Sequence, residues 1–282
     1  MYVKIYILLM GSFIIHKFLN KNYSNFVWKR FFSYNFSLSD NKYNHEYIDV
    51  CNIYNDSCND IYNNKKLISI SPGGFKGFYL LGTLTYIKEN YDLKNYIFSG
   101  ASAGAWCSLI MSMKSKFDLL DFIDENITNS KSILEIEQNI KIKIMKKYNN
   151  DDFDFKRIYV GVTQLKNLNV NTIIYSNFKN LEDAIDCCIA SSHIPFVTGG
   201  LLNKYHNKIS FDGGFVAYPY IKEIKATLHV DPYIWNSKKT KSLFSYDTTL
   251  FSKDKYNFKN LYLDGYNDAK KNKDYLNSVF DK

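Results

Sequence analysis

The chain lacks a C-x-x-C pair, an internal repeat and an unbroken apolar run of about 20 residues, and each absence removes a class of protein. Its five cysteines, Cys51, Cys58, Cys107, Cys187 and Cys188, are odd in number, which does not suit a disulfide framework. Adjacent Cys187 and Cys188 cannot readily bridge each other and face different ways on a helix, so all five read as reduced and structural. His16, His45 and His206 offer no pairing that reads as a metal site. No metal and no cofactor are expected.

The charge is positive, with 36 Lys and Arg against 28 Asp and Glu, a net +8. The basic residues stand in small groups such as Lys146 with Lys147 and Lys270 with Lys271, without a nucleic-acid motif, so nucleic acid is not an expected partner. An anionic membrane surface suits the charge better, each basic residue close to lipid adding on the order of 1 kcal/mol. Aromatics reach 17%, with 24 Tyr and 21 Phe. They accompany abundant Asn, Lys and Ile, the bias of an AT-rich coding sequence, and are not read as a stacking surface.

Met1 to Leu19 is largely apolar but interrupted by Lys4, Gly11, Ser12, His16 and Lys17. It is short for a span, and the stretch Lys17 to Lys21 has no small-residue cleavage site. An uncleaved signal-anchor or an interfacial anchor is expected, with a cleaved leader or an internal apolar segment as the alternatives. Lys17, Lys21, Lys29 and Arg30 would hold the rest of a membrane-associated protein on the cytosolic side. Residues 20–63, rich in Asn, Tyr, Ser and Lys, read as a linker or peripheral extension. From 64 to 282 strands and helices alternate. Strands are expected at 67–71, 95–99, 157–165, 171–177 and 209–212. Helices are expected at 76–90, 103–113, within 117–147, at 180–190 and near 259–280. Such alternation argues for an α/β layered domain with helices on both faces of the sheet.

Three glycine-marked turns follow strand-like segments, and are expected at one end of the sheet. Gly100-Ala101-Ser102-Ala103-Gly104 is a G-x-S-x-G nucleophile elbow, a tight strand-to-helix turn that exposes the serine hydroxyl. Its glycines allow strand and helix to approach closely, and the next helix aims its amide end at the reaction centre. The first turn along the chain, Gly73-Gly74-Phe75-Lys76-Gly77, precedes a helix with Leu80, Leu81, Leu84 and Ile87 at helical spacing. Its backbone N–H groups suit a developing oxyanion. The P-loop reading fails because Lys76 precedes the last glycine and Phe78 follows it, and G-x-G-x-x-G spacing is also missing. The third turn is Asp212-Gly213-Gly214. Together these point to a serine acyl hydrolase.

In their order the motifs resemble those of the patatin-like phospholipases, lipid acyl hydrolases that use a Ser/Asp dyad. The resemblance spans roughly residues 64 to 230, with a softer match at Ala190-Ser191-Ser192-His193-Ile194-Pro195-Phe196 and a weaker one at Gly265 to Ala269. It implies a three-layer α/β fold around a mostly parallel sheet, Ser102 as nucleophile and Asp212 as general base. The oxyanion donors would be the amides of Gly73, Gly74 and Phe75, with Ala103 as a further candidate. Lys76, Gly77, Gly100, Gly104, Gly213 and Gly214 would shape the motifs. Pro72 departs from the family, where many members have another glycine. The implied substrate is a phospholipid or lysophospholipid at a membrane surface, cleaved without calcium.

A free aspartate is a weak base, so burial must raise its basicity if it is to activate a serine. A Ser102, Asp212, His229 triad runs in the α/β-hydrolase order and is the alternative base arrangement. His193 is expected to be structural or to line the pocket. Transacylation, and a catalytically silent membrane-binding protein of the same fold, also remain open.

Overall fold

The computed structural model describes residues 65–115, 119, 122–123, 125–130, 132–166, 169–215, 219–222, 224–235 and 257–280. The anchor at 1–19, the linker at 20–63, and Cys51, Cys58, His16 and His45 within them lie outside the described residues.

Seven strands form one mixed sheet: β1 (Lys66–Ile70), β2 (Tyr96–Gly100), β3 (Ile158–Lys166), β4 (Asn169–Tyr175), β5 (Asn203–Tyr205), β6 (Lys208–Phe211) and β7 (Ala226–Val230). Their order is β5-β6-β3-β2-β1-β7, with β4 also on β3. The centre, β7-β1-β2-β3, is parallel, whereas β4, β6 and β5 are added antiparallel. The alternating residues of each strand go to opposite faces. Ile68, Ile70, Phe98, Val160 and Val162 enter the large core under the helices. Leu67, Ile97, Tyr159 and Ile174 pack on the other face with Ile221.

The helices are α1 (Gly77–Asn90), α2 (Ala103–Met111), α3 (Glu125–Asn129), α4 (Ile133–Lys147), α5 (Leu181–Ser191), α6 (Phe258–Lys271) and α7 (Lys273–Val279). Their starts are written locally: Ser132 caps α4 by accepting from Glu135 N–H at 3.2 Å, and Asn180 caps α5 by accepting from Asp183 N–H at 2.9 Å. The carbonyls at the far end of α2 are met by Lys88 Nζ, which donates to Ile110 O at 3.2 Å and Met113 O at 2.7 Å.

The single C-terminal helix expected near 259–280 is instead two, because Asn272 turns its side chain back onto Asp268 O at 2.8 Å and leaves the helical conformation. One face of the pair turns inward: Tyr262, Ala269 and Leu276 are buried, with Tyr266 and Phe280 packed against the core. The helix lies so close to α1 that a Cβ on Gly82 would come 1.9 Å from Tyr262 O, and one on Gly265 would come 2.0 Å from Tyr79 O. Among the described residues no helix is long and apolar enough to cross a membrane.

One feature of the sheet positions the site. Along one edge of β3, β2 occupies Ile158 to Val160 and then stops at Gly100, while β6 occupies Thr163 and Gln164. The other edge belongs to β4. β2 and β6 therefore lie end to end on the same edge, and since β6 runs antiparallel to β3 their C-terminal ends converge. The three glycine turns do not stand side by side at one sheet end as the sequence suggests. The third arrives from the opposite direction and meets the second head-on.

Candidate active site

Ser102 stands between β2 and α2 with φ 54° and ψ −125°, a conformation that costs an L residue about 1–3 kcal/mol unless its surroundings enforce it. The enforcement is visible. The Ser102 N–H donates to Ser191 Oγ at 2.8 Å, and the Ser191 hydroxyl donates to Gly161 O at 2.7 Å, which ties the turn to α5 and β3. A Cβ on Gly100 would fall 2.2 Å from Gly104 O, and one on Gly104 would fall 2.2 Å from Ile70 O, so only glycine fits either flank.

Asp212 follows β6 directly. Its N–H donates to His193 O at 2.7 Å, and its Oδ1 accepts from Gly214 N–H at 2.6 Å. A Cβ on Gly213 would fall 2.1 Å from Gly161 O and 2.7 Å from Ala101 Cβ, which is how closely the aspartate turn is packed against the serine turn. Burial lifts the Asp212 carboxyl from its ordinary 3.8 to about 6, while the Ser102 hydroxyl and the Gly214 N–H favour its ionised form and pull the value partway back. Ser102 is 6% and Asp212 5% exposed, so both sit in a place from which bulk water is largely excluded.

The first glycine turn closes the third side. Gly74 to Lys76 make a short 3-10 turn opening α1, with Gly74 at φ 52°. Gly77 rests against the elbow, where an added Cβ would fall 2.8 Å from Ala103 Cβ. Gly74 and Ala103 each begin a helical turn, so their N–H groups have no partner within it. Gly74, Phe75 and Ala103 line the cavity described next; Gly73 is not among its lining residues, and a Cβ added to it would fall 3.2 Å from Leu80 Cδ1 and 3.5 Å from Pro232 Cγ. Lys76 points elsewhere, its Nζ donating to Tyr233 OH at 2.7 Å. Pro72 packs on the third turn, where a Cβ on Gly214 would fall 2.9 Å from Pro72 Cγ.

A cavity of about 140 Å³ opens at Ser102 and Asp212. Its wall along α2 is Ser102, Ala103, Trp106, Cys107 and Ile110, positions one turn apart on a single helix face. Most of the rest is aliphatic or aromatic, including Phe78, Leu81 and Phe122 together with Ile133, Ile136 and Ile140 of α4. Such a slot accepts a hydrocarbon chain whose polar end stays at the serine.

His229 is elsewhere. It lies on β7 in register with Ser69, its Nδ1 within 2.8 Å of Ser69 Oγ and its ring against Tyr220, and it takes no part in the cavity wall. His193 serves Asp212 through its backbone, and its buried ring does not line the cavity. Cys107, Cys187 and Cys188 are buried free thiols; burial pushes Cys107 up to about 12 and the other two well above the ordinary range. Among the described residues no group of three or more His, Cys, Asp or Glu is placed to hold a metal ion.

Several residues of this site escaped the sequence reading. Ser191 stood within a noted segment but had no role there. Trp106 donates its indole N–H to Ser192 Oγ at 3.1 Å and forms part of the wall, and its position four residues after Ser102 could have flagged it. Glu137 breaks the apolar stripe Ile133, Ile136, Ile140, Ile144, a carboxyl group where the helix face should be apolar.

No curated protein matches the chain. The model of the patatin-like phospholipases matches residues 68–221, more than half of it, and takes in all three glycine turns with β2, β6 and the end of β1 from Ile68. The chain belongs to the patatin-like phospholipase family.

Proposed function

We propose that the protein hydrolyses carboxylic esters of phospholipids or lysophospholipids through an acyl-serine intermediate. The observation that carries this reading is the strained Ser102 beside a buried Asp212 of raised basicity, at the mouth of an apolar slot. Ser102 Oγ attacks the ester carbonyl carbon while Asp212 takes its proton. The negative oxygen that forms is met by the amides of Gly74 and Ala103, with Phe75 and Gly73 completing the loop, and one such donor is worth roughly 3 kcal/mol. The C–O bond to the alcohol breaks, Asp212 protonates the departing oxygen, and the acyl group remains on Ser102. Water then repeats the sequence, giving its proton to Asp212 and releasing the fatty acid as the proton returns to Ser102. Another lipid alcohol in place of water would make the product a transacylated lipid.

The domain from 64 to 282 would carry this chemistry, with the apolar segment at 1–19 as a membrane attachment and the catalytic part on the cytosolic side. Partly exposed Phe196, Leu201, Leu202 and Phe215 flank the cavity residues Ile194, Thr198 and Asp212 in sequence and would meet the lipid surface. No step requires a metal, so activity should survive a chelator; loss that calcium restores would contradict this.

The test is a panel of phospholipids and lysophospholipids, offered as vesicles and as monomers, with a fluorophosphonate probe alongside. Wild type should release fatty acid and take the probe, Ser102→Ala should do neither, and Asp212→Asn should release nothing. Probe labelling that survives Ser102→Ala would overturn the assignment of the nucleophile.

A further inference from the structure

The slot contains one polar group that ester cleavage does not use. Glu137 is 5% exposed and belongs to the cavity wall, yet its Oε2 has no hydrogen-bond partner. Burial holds the carboxyl well above the usual carboxylate range; Ser192 favours ionisation, the nearby Asp212 charge opposes it, and Trp106 favours it slightly. Ser192 and Trp106 act on the carboxyl as hydrogen-bond donors but neither satisfies Oε2, and each has another partner, Trp106 N–H on Ser192 Oγ and the Ser192 hydroxyl on Cys188 O at 2.9 Å. Burial favours the protonated acid, a form with a hydrogen to donate into the slot.

Its depth in the slot follows from the helix. The wall runs down α2 from Ser102, and Trp106, which Glu137 accompanies, lies one turn below it, about 5.4 Å along the axis. An acyl chain held at Ser102 by its carbonyl carbon would pass Glu137 a few methylenes later. A plain hydrocarbon would cover the acid and leave it unpaired, an expensive arrangement for a buried polar group. A chain with an oxygen at that depth would satisfy it.

We propose that Glu137 is a specificity-determining residue that donates a hydrogen bond to an oxygen on the acyl chain, so that the favoured substrates are lipid esters whose chain carries a keto or hydroxyl group a few carbons beyond the ester carbonyl. This rests on the hydrolase reading above for the direction in which the chain enters. Leaving a buried polar group without its partner sets the expected discrimination at roughly tenfold or more. Glu137→Gln keeps a donor at the same place, whereas Glu137→Leu removes it and completes the aliphatic stripe of α4.

The experiment compares 5-oxodecanoic acid with decanoic acid, as competitors of a bound fluorescent fatty acid and as their p-nitrophenyl esters in turnover, on the full chain. Wild type and Glu137→Gln should favour the keto compound in both assays, roughly tenfold. Glu137→Leu should lose that preference while Ser102 still reacts with the fluorophosphonate. Equal affinity of wild type for the two acids would overturn the proposal, and needs no variant to fold; so would a preference that persists in Glu137→Leu. Selective binding of the keto acid without turnover of either ester would support Glu137 while sinking the hydrolase reading. Turnover of both esters at equal rates and equal affinity would do the reverse.

Discussion

The backbone N–H of Asp212 donates to the carbonyl oxygen of His193 at 2.7 Å, a bond that fastens the end of β6 to the segment just past α5. That same helix ends in Ser191, which accepts from the Ser102 N–H. One short stretch, Ser191 to His193, therefore holds the backbone of both Ser102 and Asp212.

Because burial raises the Asp212 carboxyl, its replacement should separate activity from stability. Its pKa moves from 3.8 to about 6 on folding, which at ~1.36 kcal/mol per pH unit is about 3 kcal/mol. A raised folded pKa contributes stability that is full below 3.8 and lost as pH rises through about 6. Asp212→Asn, neutral at every pH and still able to accept from Gly214 N–H, should abolish turnover. It should also be about 3 kcal/mol more stable than wild type at pH 8 and close to it at pH 4. Denaturant melts at the two pH values check this, and a variant less stable at pH 8 would contradict it.

In the proposed mechanism the same group would set the acid limb of catalysis. As the base Asp212 would act only when ionised, so kcat/KM should rise with pH and level off above about 6. Bound lipid desolvates the site further, which should push the limb of kcat higher than that of kcat/KM. A limb near pH 4, measured on a soluble ester, would mean that the base is exposed or is another group.

Gly77→Ala should damage turnover more than binding. Its new Cβ would lie 2.8 Å from Ala103 Cβ, with backbone on both sides and no flexible side chain to give way. The first glycine turn must shift away from the elbow, and a displacement of that kind costs on the order of a hundredfold in rate. Steady-state kinetics should show kcat lowered by that factor and KM changed far less. Unchanged kcat would remove the loop from the oxyanion site.

His229→Ala should leave turnover within about twofold of wild type, because its partners are Ser69 and Tyr220 and not the dyad. The lost bond to Ser69 should cost about 1 kcal/mol of stability. A collapse in kcat with the fold intact would restore the histidine triad.

Much of this fold was legible in the sequence because strand, glycine turn and helix follow one another locally. Gly100 to Gly104 states its own geometry, and Leu80, Leu81, Leu84 and Ile87 declare a buried helix face. β7 and β5 are not among the strands the sequence predicts, since three residues such as Asn203 to Tyr205 carry no periodicity and exist as a strand only by pairing with β6. The break at Asn272 was hidden inside an otherwise continuous helical pattern. The direction of β6 was beyond reach for a deeper reason: strand polarity is a property of pairing, and the pairing partner, β3, lies over forty residues upstream.

The end-to-end arrangement of β2 and β6 makes β3 the ruler of the site. The gap between its contacts with the two strands is Gly161 and Val162 alone, so a single residue inserted there would slide the carboxylate away from the hydroxyl and flip the face on which β6 presents its side chains. Much longer insertions into the connection at 176–180 would leave that measure untouched. Length can thus vary in that connection, while a two-residue stretch in the middle of a strand admits no change of length.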